Sequence, residues 1–377
     1  MMVYNSSERK DFGLKKRFLW IPLLLLIAAG AVYGIMTVKP AKRVTPIDPE
    51  ATQAIDETGD LLLADDFQLY SANSKSRFCK KILQTVQPIS GISYTSEHTV
   101  ITVYNPEDSK AFKGFYMRDK QSDSFVQTPT PQLTPRFSYL FGDVLFLTSA
   151  DKTAQKGGEF TKVALYDLKE HKWLKEWFVP GGVESVKGSG KYVYFVTSNN
   201  AETSSNLYKA DVLSGEWGKQ IQEARRYPLD QVALDTNGDI YMMISQRTKN
   251  EWSNKIYRFN PGQNPYELTK NFVSNTRPYS YSMTALQGKM LILLHDVTNT
   301  NMELEKPLSL LNLKSRKQIH LAWDHRPVDA DAFADEYVVL AEDGTLGFVG
   351  LNATADEPLR EVKLDGLAAG KRIVVKK

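Results

Sequence analysis

The chain has very little cysteine. Cys79 is the single cysteine among 377 residues, so no disulfide bond can form within the chain. A domain of this length does not need one, because its own hydrophobic core is large enough. We expect Cys79 to be an ordinary half-buried strand residue, since no neighbouring base that would activate its thiol can be located. An exported domain without disulfides is typical of a bacterial cell envelope.

Motifs of catalysis and metal binding are also missing. The sequence contains no G-x-S-x-G, P-loop, dinucleotide-binding or sialidase-type box, and its histidines show no metal-ligand spacing. The histidines are His98, His171, His295, His320 and His325. Residues 329–333 and 235–239 begin like calcium-binding loops. The first has Phe at the fifth loop position and no Gly at the sixth, and the second has its Gly too early. We read these two segments as a strand edge and a hairpin turn, and we predict no catalytic residue, metal or cofactor.

Positive charge is scarce in most of the chain. The formal net charge is +3, but the first 43 residues hold eight Lys or Arg against two acidic residues and carry +6. The remainder carries −3. A mildly acidic main domain lacks the positive field that nucleic-acid binding requires. The sequence therefore excludes nucleic acid as an expected partner.

One long uncharged stretch is present near the N-terminus. Phe18 to Val38 contains no charged residue and, as a helix, would span roughly 30 Å, the thickness of a bilayer's hydrocarbon core. The larger cluster of basic residues precedes it, which predicts a cytoplasmic N-terminus and an external main domain. We predict a cytoplasmic tail at 1–17, a transmembrane helix at 18–38 and a stalk at 39–60, in a single-pass protein of the cell membrane.

Two alternatives concern this predicted helix. A cleaved signal peptide is the rival, although its apolar region is usually only about 7–15 residues long. No cysteine lies near the stretch, which excludes a lipoprotein. Gly30 and Gly34 form a GxxxG pair that can bring two membrane helices together. They can equally be ordinary small residues of one membrane helix.

Three sets of positions recur every 45 to 50 residues or so in residues 61–377, which is the period of a supersecondary repeat. The first set is a short apolar run, as in Val144–Thr148 and Tyr337–Ala341. The second is an Asx that ends a later apolar run and can start a turn. The third is a proline between strands. The Asx and proline positions are Asp119, Asp167, Asp211, Asn260, Asn312 and Asn352, and Pro88, Pro135, Pro180, Pro228, Pro278 and Pro327.

Hairpin signals between the apolar runs complete the pattern, because Asn-Gly and Asp-Gly supply positive φ. Residues 234–241 (LDTNGDIY) resemble the hairpin of many β-propeller blades. Residues 206–211 (NLYKAD), followed by 214–217 (SGEW), resemble the blade endings of quinoprotein-like and related propellers. This resemblance covers roughly residues 60–377 and implies a fold, not an activity.

We predict an all-β β-propeller over residues 61–377. Six units are clear, and Leu61 to Val86 reads as an incomplete seventh. The C-terminal residues 371–376 (KRIVVK) could supply its missing strand and close the ring. Seven four-stranded blades are expected, with six or eight blades as alternatives. A β-solenoid is the other architecture considered, although its repeats are usually shorter.

Arginine accompanies proline at the entrance to several predicted blades, so these arginines should lie on one face near the central channel. Long loops on a rigid scaffold are frequent binding sites, and convergent arginines favour carboxylate or phosphate groups. The candidate ligand-binding residues are Arg136, Arg226, Asp230, Arg277, Tyr279, Arg326 and Asp329. The competing interpretation is that nearby acids, Glu184 and Asp331 among them, form blade-to-blade salt bridges with these arginines.

The sequence favours an extracytoplasmic binding or scaffold module for a protein partner or an anionic envelope polymer. One alternative is a lyase or hydrolase that acts on anionic glycans at the channel mouth. Another is an accessory or sensory subunit of a membrane complex.

Overall fold

A computed structural model describes residues 59–376 apart from 109–110, 123, 156–157, 200–203, 225–228, 236–237, 248–251, 261–265, 269–277, 287–288, 296–305 and 356. All helix or strand structure in these residues is β-strand, arranged as seven antiparallel sheets of four strands. The predicted all-β propeller with seven blades is confirmed. The predicted membrane helix at 18–38 lies outside the described residues. Within them, no helix has the length and hydropathy to span a bilayer.

The four strands of a blade run from the channel outwards, and each position is occupied once per blade. The innermost strands are β28 (Arg372–Val375), β4 (Ile89–Tyr94), β8 (Pro135–Phe141), β12 (Gly182–Ser189), β16 (Leu229–Leu234), β20 (Pro278–Leu286) and β24 (Pro327–Ala332). The second strands are β1 (Leu61–Ala64), β5 (His98–Val103), β9 (Val144–Gln155), β13 (Tyr192–Asn199), β17 (Ile240–Arg247), β21 (Met290–His295) and β25 (Glu336–Ala341).

The outer half of each blade follows the same order. The third strands are β2 (Gln68–Ala72), β6 (Gly114–Asp119), β10 (Gly158–Asp167), β14 (Ser204–Asp211), β18 (Trp252–Phe259), β22 (Leu308–Asn312) and β26 (Thr345–Gly350). The outermost strands are β3 (Cys79–Gln84), β7 (Val126–Pro129), β11 (Lys172–Pro180), β15 (Trp217–Ala224), β19 (Tyr266–Glu267), β23 (Gln318–Leu321) and β27 (Arg360–Lys363). Blades 1 to 7 are numbered in this order, from the blade that contains β1.

Each blade is buried on both faces, which explains the continuous apolar runs of the sequence. In β25, Val338 and Leu340 pack towards blade 1, whereas Tyr337, Val339 and Ala341 pack towards blade 6. Strands covered on both sides lose the apolar–polar alternation of a half-exposed sheet. Seven such clusters of buried side chains, one between each pair of neighbouring blades, form the described core.

The ring is closed by the C-terminal strand, as the sequence predicts. β28 pairs antiparallel with β1, with Ile373 opposite Leu63 and Val375 opposite Leu61. Blade 1 therefore combines three strands from the start of the domain with one from its end. Ile373 and Val375 are almost completely buried. This closure removes the free edges that an open ring of blades would leave.

The repeat markers fall at fixed places in the blades. The predicted apolar runs form the second strands, and Asp119, Asp167 and Asp211 end third strands. Pro135, Pro278 and Pro327 are the first residues of innermost strands, where no ladder hydrogen bond is lost. Cys79 lies half-buried in β3, as expected. Burial and then the charge of Asp365 raise the pKa of its thiol to about 12.

Candidate functional site

Innermost strands begin, and second strands end, on one face of the propeller, which we call the channel-mouth face. Pro135 is paired with Ser149, and Pro327 with Ala341, at this edge. The loops between second and third strands therefore emerge beside the blade entrances. The turns that follow innermost and third strands lie on the opposite face.

A β-bulge marks the entrance of most blades. The pairing register shifts directly after the first residue in four of the innermost strands, so that the next residue has no partner on the second strand. In blade 4 the shift follows the second residue, Val183. A bulge re-aims the side chain of its extra residue. The bulged residues are Ser90, Arg136, Glu184, Asp230 and Val328. The predicted site residues Arg136 and Asp230 thus occupy equivalent places in two blades.

Arg136 connects blade 3 to blade 4. Its Nη1 donates to the carbonyl oxygen of Val183 at 3.0 Å, and its Nη2 lies 3.9 Å from Glu184 Oε2. The guanidinium also lies over the Phe137 ring, 4.8 Å from the centroid. The side chain remains 38% exposed. Arg136 therefore takes part in a blade-to-blade contact and still reaches solvent at the channel mouth.

Arg326 has its partner within blade 7. Its Nη1 donates to Glu342 Oε2 at 2.9 Å, and this glutamate follows the neighbouring strand β25. Both side chains are more than a third exposed. Exposed ion pairs contribute about 0–1 kcal/mol to stability, so an acidic group of a binding partner can replace Glu342 beside Arg326 at small cost.

Asp329 occupies a different environment, because it is enclosed between β24 and β28. Its Oδ2 accepts a hydrogen bond from the Ile373 amide at 3.0 Å, and its Oδ1 accepts one from Ala330 at 2.9 Å. Asp331 holds the Val375 amide in the same way, at 2.9 Å. Burial raises the pKa of Asp329 to about 6. These two carboxylates hold the closing strand β28 by accepting hydrogen bonds from its amides. Residues 329–333 therefore form a contact between two strands and not the calcium loop that their sequence superficially suggests.

For the other predicted site residues, the structure describes no side chain at the channel mouth. Asp230 lies in β16 and Tyr279 in β20, where only the backbone is described. Arg226 and Arg277 lie outside the described residues, as do Gly30 and Gly34. The convergence of all the predicted arginines therefore stays a prediction.

A hairpin projects between β9 and β10 at the channel-mouth face. β9 continues from Ala150 to Gln155, beyond the residue that pairs with the start of β8, and Asp151 to Gln155 are exposed. The polar composition of residues 150–155 gives no strand signal in the sequence, because only backbone hydrogen bonds to β10 extend β9 there. Lys113 of blade 2 contacts Asp151 Oδ2 at 3.0 Å, and Lys152 contacts Glu159 at 3.2 Å.

Asp151 is anchored at the base of this hairpin. Thr134 donates its hydroxyl to Asp151 Oδ2 at 2.5 Å. Although burial opposes the effect, the hydrogen bonds from Thr134 and Lys113 lower the pKa of Asp151. The hairpin is therefore fixed at its root by Thr134 and Lys113, while residues 152–155 beyond this root are exposed to solvent.

Two histidine arrangements were not predicted. His295, Ser309 and His320 form a line across blade 6, with Ser309 Oγ 2.7 Å from His295 Nε2 and 2.8 Å from His320 Nδ1. Burial and then His320 lower the pKa of His295 to about 4. Ser309 is fully buried, so a substrate has no access to its hydroxyl. His98 bridges Asp119 and Asp143 on the opposite face.

No protein-family model matches the chain, and no curated protein matches it. A functionally unknown protein from Desulfotomaculum acetoxidans is similar with a TM-score of 0.56 at 10% identity, over 84% of this chain and 99% of that one. The periplasmic gluconolactonase of Pseudomonas aeruginosa gives 0.56 at 12%, over 84% and 98%. The GH74 xyloglucanase of Xanthomonas campestris gives 0.52 at 11%, over 80% and 52%. At such identities the likeness shows the fold alone.

Proposed function

We propose that this β-propeller is an extracytoplasmic binding or scaffold module, held to the membrane by the predicted helix at residues 18–38. Its partner is a protein or an anionic envelope polymer, bound at the channel-mouth face. The observation that carries the proposal is the β9–β10 hairpin, whose exposed residues 151–155 project beside Arg136. Projecting segments on a rigid scaffold are where binding residues concentrate.

The charges around the hairpin support a charged partner. Blades 2 to 4 carry three ion pairs here whose side chains are all more than a third exposed: Lys113–Asp151, Lys152–Glu159 and Arg136–Glu184. Each is worth about 0–1 kcal/mol in water, so exchange for partner groups costs little. Complementary charges on two proteins raise the association rate and the specificity of binding more than they raise the affinity. A partner with acidic groups would engage Arg136 and Lys152 together.

A comparison of two charge-removal variants tests the binding face. The full chain, solubilised from its host's membranes, is used for affinity capture as wild type and as Arg136→Ala/Lys152→Ala. The matched control is Lys314→Ala/Lys317→Ala, which removes two exposed lysines on the opposite face. We expect a partner captured by wild type and control to be lost from the first variant. Identical capture by all three proteins would reject the channel-mouth proposal.

Protease treatment of intact cells tests the proposed placement. An external propeller is cleaved before lysis, whereas a cytoplasmic one is protected until the membrane is broken. Detection with antibodies against the propeller and against residues 1–17 distinguishes the two sides. Protection of the propeller in intact cells would contradict the extracytoplasmic placement without bearing on the binding face itself.

A further inference from the structure

A groove lies between blades 2 and 3 on the face opposite the channel mouth. Its volume is about 590 Å³, within the range of small-molecule sites. One wall is the β6–β7 turn with Lys120, Gln121 and Ser122, and the other is the β10–β11 turn with Lys169 and His171. Leu168 and Val126 supply apolar surface, and Leu168 is almost completely buried. None of the residues predicted from the sequence as a ligand site lies here.

His98 fixes the inner end of the groove. Its Nδ1 lies 2.7 Å from Asp119 Oδ1 and its Nε2 lies 2.8 Å from Asp143 Oδ1, while its side chain is only 12% exposed. The ring therefore holds one carboxylate from each blade in a set position. Each carboxylate uses Oδ1 for His98, so the second oxygen can accept a hydrogen bond from a ligand hydroxyl.

The outer walls carry nitrogen donors, the ammonium groups of Lys120 and Lys169 and the imidazole of His171, that make few contacts with the rest of the described residues. Lys169 and His171 have no hydrogen-bond or ion-pair partner there, and Lys120 is only 3.9 Å from the exposed Glu97. These groups come from both walls, so an anionic group between them would contact both. Gln121 and Ser122 add neutral donors and acceptors beside them.

His171 shows that this turn keeps a side chain where glycine is easier to accommodate. Its φ is +52°, in the left-handed region, and the equivalent position of blade 4 is Gly215 with φ +66°. Arg316 of blade 6 shares the conformation, with φ +59°. A left-handed conformation strains a residue that has a Cβ atom, whereas glycine adopts it freely. Replacement of His171 by glycine therefore removes the imidazole while retaining, or easing, the turn.

We propose that this groove binds a small anionic polyhydroxy molecule of about disaccharide size. The acid group lies between Lys120 on one wall and Lys169 and His171 on the other. Hydroxyl groups donate to the second oxygens of Asp119 and Asp143, and the apolar face of a sugar ring lies on the partly exposed Val126. This site is distinct from the channel-mouth face, so it stands or fails independently of the proposed function.

Calorimetric titration of the detergent-solubilised full chain tests the proposal. The probes are α-1,4-linked digalacturonate, neutral maltose and inorganic phosphate. We expect saturable binding of digalacturonate, at least tenfold weaker binding of both maltose and phosphate, and no effect of Lys314→Ala. Lys314 is the matched control, because it occupies in blade 6 the turn position that Lys169 occupies in blade 3.

The variants Lys169→Ala and His171→Gly should each weaken digalacturonate binding by at least tenfold while the far-UV spectrum and melting temperature stay at wild-type values. Absence of digalacturonate binding to the wild type would overturn the proposal. So would binding that Lys169→Ala and His171→Gly leave unchanged. Phosphate or maltose binding as tight as that of digalacturonate would reject the ligand class.

Discussion

The closing seam between blades 7 and 1 and the channel mouth of blades 2 to 4 are built from opposite kinds of contact. At the seam, Asp329 is buried and Asp331 is partly buried, and both accept hydrogen bonds from backbone amides of β28. At the mouth, Arg136 and Lys152 form exposed pairs beneath a projecting hairpin. Buried, satisfied polar groups are expensive to disturb, whereas exposed pairs are not. The ring thus separates the region that determines its stability from the region that can exchange partners.

Removal of the closing strand should have the largest effect. Truncation after Gly370 deletes Ile373 and Val375, which are buried against blades 7 and 1. Full burial of each such side chain contributes about 1.5–3 kcal/mol, and the truncation also leaves Asp329 without its amide partner. We expect a loss of roughly 4 kcal/mol or more in the free energy of unfolding, or no stable fold, measured by urea denaturation. A truncated chain as stable as wild type would show that β28 does not close the ring.

Substitution of the clamp itself should have an intermediate effect. Asp329→Ala leaves the Ile373 amide buried without an acceptor, which costs about 1–3 kcal/mol. Asp329→Asn keeps an oxygen that can accept this hydrogen bond, so its loss at pH 7 should be clearly smaller. Urea denaturation of both variants measures the difference. Equal losses would mean that the carboxylate's hydrogen bond to β28 does not matter for stability.

At acid pH, Asp329 and the buried His295 should change the free energy of unfolding in opposite directions. The pKa of Asp329 is raised to about 6, so the native state binds its proton first and stability rises by about 3 kcal/mol as the pH falls from 6 to 4. The pKa of His295 is lowered to about 4, so the unfolded state binds its proton first. Stability then falls by about 3 kcal/mol as the pH falls from 6.5 to 4.

These opposed contributions should largely cancel in the wild type. Asp329→Asn removes one of them, so this variant should lose about 2–3 kcal/mol more than wild type between pH 6.5 and pH 4. Urea denaturation at the two pH values measures the difference, and His295→Asn should shift it in the other direction. Parallel pH profiles for wild type and Asp329→Asn would contradict the buried position of this carboxyl.

The smallest effect on stability is expected at the channel mouth. Arg136→Ala and Lys152→Ala each remove an exposed ion pair, so each should change the free energy of unfolding by less than about 1 kcal/mol. Thermal and urea denaturation check this directly. A loss of unfolding free energy as large as that of Asp329→Ala would show that these channel-mouth residues contribute to the stability of the ring.

Local patterns made the fold predictable, whereas contacts between distant segments did not. Continuous apolar runs reveal the second strands because both faces of a blade are buried. The run at residues 371–376 was predicted to complete blade 1 because Leu61 to Val86 reads as an incomplete unit. The clamp was missed because Asp329 meets Ile373 only after the ring has closed. His98, Asp119 and Asp143 are likewise far apart in sequence and belong to two blades. The arginines were found from their prolines. Of their acidic partners, Glu184 was named from the sequence and lies 3.9 Å from Arg136, whereas Glu342, the partner of Arg326, was not.

The most direct test compares two variants in two assays. Asp329→Ala and Arg136→Ala/Lys152→Ala are each examined by thermal denaturation and by affinity capture below the melting temperature of both. The predicted result is a crossed pattern: the first variant melts earlier but retains its partner, and the second melts like wild type but loses it. Loss of both properties in one variant, with neither lost in the other, would contradict the separation of seam and mouth.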